Sequence, residues 1–302
     1  LSKLKTDRIE SNPVRLAPKL WGNENEQPIL ALHGWQDNAG TWDPIARVIS
    51  AKRPLLAIDF PGHGLSSWIP PGEGFYFKYG VYTLMVSLDM PRLPKVFMRP
   101  LNVKAHSMGS IASLRFASVF PDYVDFYIAI DSLVADDYDL NQIVENIPKI
   151  LRKIQVTHSR LANEPPSYPI EELKKIWHLG TTKSVALDSV HYLTTRGSKE
   201  SKLNPGKYYF SRDPRLKTTL FNPESKKFVE AIVRRLKCPT LYIKAIDSPY
   251  ASDQFSVEMR EIIEKNNDNF ECHFVPGTHH VHLNDPDKIA PLILNFLQKH
   301  NF

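Results

Sequence analysis

The stretch NVKAHSMGS, residues 102–110, places a serine between a short apolar run and the helix-like segment SIASLRFASVF. Ser107 has small residues two positions before it, Ala105, and two positions after it, Gly109. A nucleophilic serine on a strained strand-to-helix turn needs small neighbours at these positions, because the turn is crowded. Glycine usually occupies both, and alanine is the smallest departure. We therefore predict a nucleophile at Ser107; a serine in an ordinary turn is the alternative.

Short apolar runs alternate with helical patterns along most of the chain, which is typical of an α/β fold with a mainly parallel sheet. The apolar runs are nearly continuous, so we expect helices to cover both faces of the sheet. Strands are predicted at 14–21, 28–35, 54–60, 101–106, 123–131, 239–245 and 270–276, and helices at 108–120, 254–265 and 286–299.

Residues 133–235 interrupt this alternation, because they contain no run typical of a buried strand. Four segments there have helical patterns, and loops rich in Gly, Pro, Ser and Lys separate them. The segments are LNQIVENIPKILRKI, IEELKKIWHL, VALDSVHYLTT and SKKFVEAIVRRL. We therefore predict a core of residues 1–132 and 236–302, and a helical cap of residues 133–235 inserted between two strands.

The sequence LHGW at the end of an earlier predicted strand suggests how a reacting oxygen could be held. His33 and Gly34 let the backbone approach the serine closely, since glycine has no side chain. The backbone N–H groups of Trp35 and Met108 are then candidate donors to an oxyanion. A tight turn at Gly34 without this role is the alternative.

A histidine cluster follows the last predicted strand. A serine hydroxyl is a weak nucleophile that needs a neighbouring base, usually histidine. The segment GTHHVHLNDPDKIA contains His279, His280 and His282. His279 lies just past the strand end, where its ring could reach the serine, and it is the preferred base.

The motifs HGW.D, D.PGHG.S, HSMG and GTHHVHL..P occur in this order, and as a set they resemble the α/β-hydrolase superfamily over the whole chain. LHGWQDNAGTWD, LTTRGSK, YFSRDPRLK, LYIKAID and HHVHLNDPDKIA are similar to its serine hydrolase-like, or kraken-type, branch. The resemblance implies an α/β-hydrolase fold with the cap inserted after the sixth strand. It also implies His279 as the base, seven residues before Pro286, and it includes His106 in the serine motif.

The acid that would orient the histidine has two candidates. Asp247 follows the penultimate predicted strand and gives the chain order Ser107, Asp247, His279, which is typical of these hydrolases. Asp131 follows the strand after the serine, where some branches of the superfamily place their acid. We favour Asp247 and keep Asp131 as the alternative.

These residues predict a serine hydrolase, similar to carboxylesterases and lipases, that cleaves a small apolar ester-like substrate through an acyl-enzyme on Ser107. No metal and no organic cofactor is needed. The serine argues against the haloalkane dehalogenases and epoxide hydrolases of this fold, whose nucleophile is an aspartate. The alternative is a weakly active or inactive protein that binds an apolar ligand or a protein partner.

Composition excludes several other classes. The net charge of +5 comes without a long basic run, which argues against a nucleic-acid binder. No segment approaches the roughly 20 apolar residues of a membrane span. Two cysteines, Cys238 and Cys272, fit a reducing compartment, so we expect the cytoplasm. Because the chain begins at Leu1 rather than Met, we make no prediction about an N-terminal targeting segment. The oligomeric state is left open.

Overall fold

A central sheet organises the computed structural model, which describes residues 9–11, 14–70, 101–137, 139–218 and 224–302. Within these residues the sheet has eight strands, which are β1 Ile9–Ser11, β2 Val14–Trp21, β3 Ile29–Leu32, β4 Leu55–Asp59, β5 Leu101–His106, β6 Val124–Ile130, β9 Thr240–Ala245 and β10 Phe270–Val275. They lie in the order β1-β2-β4-β3-β5-β6-β9-β10. The first two strands join antiparallel at one edge, and the other six run parallel.

Helices cover both faces of this sheet. In β3, Ile29 faces a buried cluster that includes residues of the first and last helices, whereas Leu30 faces a second cluster on the opposite side. This alternation follows from the two-residue period of a strand. The α-helices are α1 Asp43–Ile49, α2 Met108–Val119, α3 Leu140–Ser159, α4 Ile170–Gly180, α5 Val190–Gly197, α6 Lys226–Val233, α7 Gln254–Asn266, α8 Val281–Asn284 and α9 Pro286–Lys299. Short 3-10 helices occupy Ala39–Trp42, Pro121–Tyr123, Leu187–Ser189 and Pro214–Thr218.

The strand register brings the predicted site loops to one edge of the sheet. Leu32 of β3 lies opposite Ala105 of β5, and His106 lies opposite Ile130 of β6. Ile130 in turn lies opposite Ile243 of β9. Because these strands are parallel, the loops that follow them emerge side by side.

The segment between β6 and β9 is mostly helical, as its sequence predicts. Helices α3 to α6 lie there, together with the antiparallel pair β7 Ser198–Glu200 and β8 Tyr208–Phe210. The sequence analysis did not predict this pair, because each strand has only three residues and Ser198–Glu200 is polar throughout. The division into a core and a cap at residues 133 and 235 stays a prediction.

Predicted strand and helix positions agree closely with the structure where the apolar run is long. The predicted strands 14–21 and 101–106 match β2 and β5. The predicted strand 28–35 is too long, because the chain leaves the sheet after Leu32 and turns toward Ser107. Among the described helices, none combines the length and the apolar character that a membrane crossing requires.

Candidate active site

Ser107 lies in the turn between the last residue of β5, His106, and the first residue of α2, Met108. Its backbone has φ 51° and ψ −120°. A positive φ at a residue other than glycine costs about 1–3 kcal/mol, and such strain persists only where the surrounding structure holds it. The strand, the serine and the helix thus follow one another as the sequence predicts.

The small residues on either side of Ser107 have different roles. A methyl group added at Gly109 would lie 2.5 Å from the Leu32 carbonyl oxygen, so the close approach of α2 to β3 requires glycine. Ala105 is fully buried and already carries a methyl group within the sheet. The departure from glycine at position 105 is therefore compatible with the turn.

The His279 ring is hydrogen-bonded to Asp131. Its Nδ1 lies 2.5 Å from Asp131 Oδ2, and both side chains are buried. The other carboxylate oxygen, Oδ1, accepts hydrogen bonds from the Lys244 ammonium at 3.0 Å and from the Ala245 N–H at 2.8 Å. These contacts fix the carboxylate, which in turn fixes the histidine ring with Nδ1 toward it.

Asp247, the acid that the sequence analysis favours, does not occupy this position. Its side chain is exposed, and its Oδ2 accepts a hydrogen bond from the Gly277 N–H at 2.9 Å. It links the loops after β9 and β10 from the outside. The preference for Asp247 is corrected on this geometry: the alternative, Asp131, is the aspartate that binds the His279 ring.

The loop that carries His279 is tied to the Ser107 turn through His106. His106 Nε2 lies 3.0 Å from the His279 carbonyl oxygen, and the two ring centroids are 4.5 Å apart. In the part of the chain that the structure describes, the Ser107 hydroxyl is not hydrogen-bonded to the His279 ring. Such hydrogen bonds are often long without substrate and tighten when it binds.

Gly34 brings a second stretch of backbone against Ser107. A methyl group added there would lie 3.2 Å from Ser107 Cβ and 2.9 Å from His106 Nδ1, which is too close for a side chain. Trp35 follows directly, and Met108 carries one of the first N–H groups of α2, which have no partner inside the helix. This placement is compatible with both residues donating to an oxyanion, which stays a prediction.

Two further histidines hold this loop in place. His33 Nδ1 bonds the Gly34 carbonyl at 2.7 Å, and its Nε2 accepts from the Phe60 N–H at 2.9 Å. His63 Nδ1 bonds the Pro61 carbonyl at 3.0 Å, and its Nε2 accepts from the Gln36 N–H at 3.1 Å. Each ring both donates and accepts, so it must be neutral.

These neutral rings should make the protein sensitive to acid. Burial lowers the pKa of both His33 and His63 to about 3 in the folded protein. As the pH falls below about 6.5, these two histidines therefore become protonated in the unfolded chain while they remain neutral in the folded protein. Stability present above pH 6.5 is then lost toward pH 3, by about 2 kcal/mol per ring at pH 5. Urea unfolding at pH 7 and pH 5 should show this loss, and His63→Asn should reduce it. An equal pH dependence in that variant would contradict this role.

Asp59 joins the sheet to the segment between β6 and β9. Its Oδ1 accepts the Ala39 N–H at 2.7 Å, and its Oδ2 accepts the Leu65 N–H at 2.9 Å. Oδ2 also binds the Arg196 guanidinium, with Nη2 at 2.7 Å. The motifs D.PGHG.S and LTTRGSK therefore meet in one buried ion pair behind the site, a contact that the sequence analysis did not identify.

Comparisons with known proteins agree on one family. The alpha/beta hydrolase fold family matches residues 27–286. A probable serine hydrolase from Drosophila melanogaster is 32% identical over 282 residues, covering 93% of this chain and 84% of its own. Serine hydrolase-like protein 2 from Homo sapiens is 28% identical, with coverages of 94% and 90%. The crystal structure of a hypothetical protein from Pseudomonas aeruginosa PAO1 superposes with a TM-score of 0.79 at 25% identity, covering 97% of each chain.

Proposed function

Because the chain belongs to the α/β-hydrolase fold family, and within it to the serine hydrolase-like branch, we propose that it cleaves carboxylic esters of small apolar molecules through an acyl-enzyme on Ser107. The observation that carries the proposal is the 2.5 Å contact between His279 Nδ1 and Asp131 Oδ2, next to a serine in a strained turn. That contact leaves Nε2 of the ring as the basic nitrogen.

In the proposed reaction, the Ser107 oxygen attacks the ester carbonyl carbon while His279 Nε2 takes its proton. The N–H groups of Trp35 and Met108 donate to the oxyanion that forms. The tetrahedral intermediate collapses, the C–O bond to the alcohol breaks, and His279 returns the proton to the leaving oxygen. Water then attacks the acyl-enzyme with His279 as its base. Asp131 stabilises the charged ring without taking a proton.

Aromatic groups around the site favour an apolar substrate. The Tyr250 ring lies 4.5 Å from the His279 ring, between centroids, and the half-buried Trp35 follows Gly34.

We also propose that residues 133–235 form a cap over the core of residues 1–132 and 236–302. The unpaired thiols of Cys238 and Cys272 support the cytoplasm as the proposed location.

Labelling with a fluorophosphonate probe tests the proposal, because the probe reacts only with an activated serine. The wild type should be labelled, and Ser107→Ala should not. His279→Ala should react at least about 100-fold more slowly, since general base catalysis contributes about that much or more. His273→Ala is the matched control, because the His273 side chain is 42% exposed on the edge strand β10 and its loss should leave labelling unchanged. Labelling that persists in Ser107→Ala would contradict the proposal.

A second candidate is an inactive binding protein, which the missing hydrogen bond between Ser107 and His279 favours. The fold would then hold an apolar ligand without cleaving it. A folded wild type that resists the probe and retains an apolar small molecule through purification, detected by mass spectrometry, would establish this function. Labelling at Ser107 would exclude it.

A further inference from the structure

Buried polar side chains converge directly behind the Ser107 turn, and we infer that Asp37, His106 and His282 form a binding site for a divalent transition-metal ion of the zinc class. One ligand atom from each residue lies within 4.8 Å of those of the other two. The side chains are 4%, 0% and 0% exposed, so water has little access to them from the surface.

Each of the three side chains has one polar atom that makes no hydrogen bond among the described residues. Asp37 Oδ2, His106 Nδ1 and His282 Nδ1 are all buried and make no hydrogen bond. Each such atom costs about 1–3 kcal/mol when it is left unsatisfied. A single cation that accepts electron pairs from all three removes these costs together.

The remaining atoms of the three side chains are already held. His106 Nε2 bonds the His279 carbonyl oxygen at 3.0 Å, and a carbonyl only accepts, so Nε2 carries the proton and Nδ1 the lone pair. His282 Nε2 lies 2.8 Å from Thr41 Oγ1, and Asp37 Oδ1 accepts the Asn38 N–H at 2.9 Å. Histidines that bind metals are oriented in this way, with the second nitrogen fixed by an oxygen.

The donor set selects the kind of ion. Two imidazole nitrogens and one carboxylate oxygen suit Zn²⁺ and its transition-metal neighbours, whereas Mg²⁺ and Ca²⁺ prefer oxygen ligands throughout. Zinc binds such atoms at about 2.0–2.2 Å, so the three side chains must move closer together around the ion. His280 Nε2 lies 3.9 Å from Asp37 Oδ2 and offers a further nitrogen beside the site.

The three ligands lie close in the chain to three of the proposed catalytic groups. Asp37 follows Trp35 by two positions, His106 directly precedes Ser107, and His282 follows His279 by three. The ion would therefore join the loop after β3, the end of β5 and the short helix α8 that follows β10. It supports the site and takes no part in acyl transfer, so the reaction itself needs no metal.

Direct measurement of metal binding to the protein tests the inference. After treatment with a chelator, the wild type should take up one Zn²⁺ per chain in competition with a chromophoric chelator, and its melting temperature should rise with Zn²⁺ concentration. Substitution by Co²⁺ should produce a visible d–d absorption band. A wild type that shows neither saturable Zn²⁺ binding nor this band would overturn the inference, whether or not it is an enzyme.

Two variants locate the ion. Asp37→Asn and His282→Gln should each weaken Zn²⁺ binding by at least about 100-fold. Losing only a group that hydrogen-bonds to a metal ligand already weakens binding by about 10- to 100-fold, and losing the ligand itself should cost more. His273→Gln changes a half-buried histidine on the edge strand β10; it is the control and should bind as the wild type does. Near-ultraviolet circular dichroism checks that each variant is folded. If a variant fails to fold, the inference is judged on whether the wild type shows the Co²⁺ absorption band. Unchanged binding in both folded variants would overturn the inference.

Discussion

Asp131→Asn should lower kcat for ester hydrolysis by about four orders of magnitude. The carboxylate accepts the Nδ1 proton of His279 at 2.5 Å and thereby leaves Nε2 free to act as a base. An asparagine can turn its NH₂ group toward the ring instead, which favours the tautomer with the proton on Nε2. The variant should retain its substrate affinity, because Asp131 is not expected to contact the substrate.

Asp247→Asn is the matched control for this change. Asp247 also follows a strand of the sheet, but its side chain is exposed and bonds the Gly277 N–H. Its rate with p-nitrophenyl butyrate should therefore equal that of the wild type. A large loss in Asp247→Asn together with normal turnover in Asp131→Asn would reverse the assignment.

Arg196→Met should lower the free energy of unfolding by about 3–5 kcal/mol, because it leaves a buried carboxylate without its counter-charge. Arg196 Nε and Nη2 donate to Asp59 Oδ2 at 3.1 and 2.7 Å, and Nη2 also reaches the Ala17 carbonyl at 3.3 Å. Asp59 is fully buried, so bulk solvent does not reach it to replace these donors. Because methionine keeps most of the apolar stem of the arginine side chain, the decrease in the free energy of unfolding measures the effect of removing the guanidinium charge.

Urea unfolding measures this effect, with Lys226→Met as its control. Lys226 pairs with Glu258 on the surface, where solvent screens the two charges, so this variant should unfold at the wild-type urea concentration. Similar unfolding midpoints for Arg196→Met and Lys226→Met, at unchanged m-values, would contradict the structural importance of the buried pair.

The fold and the serine turn could be predicted because their physical causes are local. Buried parallel strands read as continuous apolar runs, and β5 and α2 were found within a residue of their observed ends. The crowding around Ser107 requires small residues two positions before and after it, and these residues, Ala105 and Gly109, can be recognised in the sequence. The pair β7–β8 was missed, because three residues are too few to show a strand pattern and β7 contains no apolar residue.

The acid could not be chosen from the sequence, because both aspartates follow a strand at the same edge of the sheet. The choice depends on which side chain points inward. Asp131 adopts φ 60° after β6, where the Ala245 N–H and the Lys244 ammonium hold its carboxylate. These partners lie more than 110 positions away in the chain, and only the register of β6 with β9 brings them together.

The pairing of Asp59 with Arg196 was missed for a related reason. The two residues are separated by 137 positions, and nothing next to Arg196 in the sequence marks it as buried. Both belong to motifs that resemble the same branch of hydrolases, so the resemblance pointed to the residues but not to their contact. Contacts between distant loops require the folded chain.

The central claim is that Ser107 forms an acyl-enzyme, and its most direct test is to trap that species. The wild type is mixed with excess p-nitrophenyl butyrate, quenched in acid and digested with trypsin. The mass of the peptide of residues 105–115 is then measured by mass spectrometry. We predict a burst of one p-nitrophenol per chain and a butyryl group on this peptide, both absent in Ser107→Ala. Ester hydrolysis without any acyl group on this peptide, or an equal adduct in Ser107→Ala, would contradict the account.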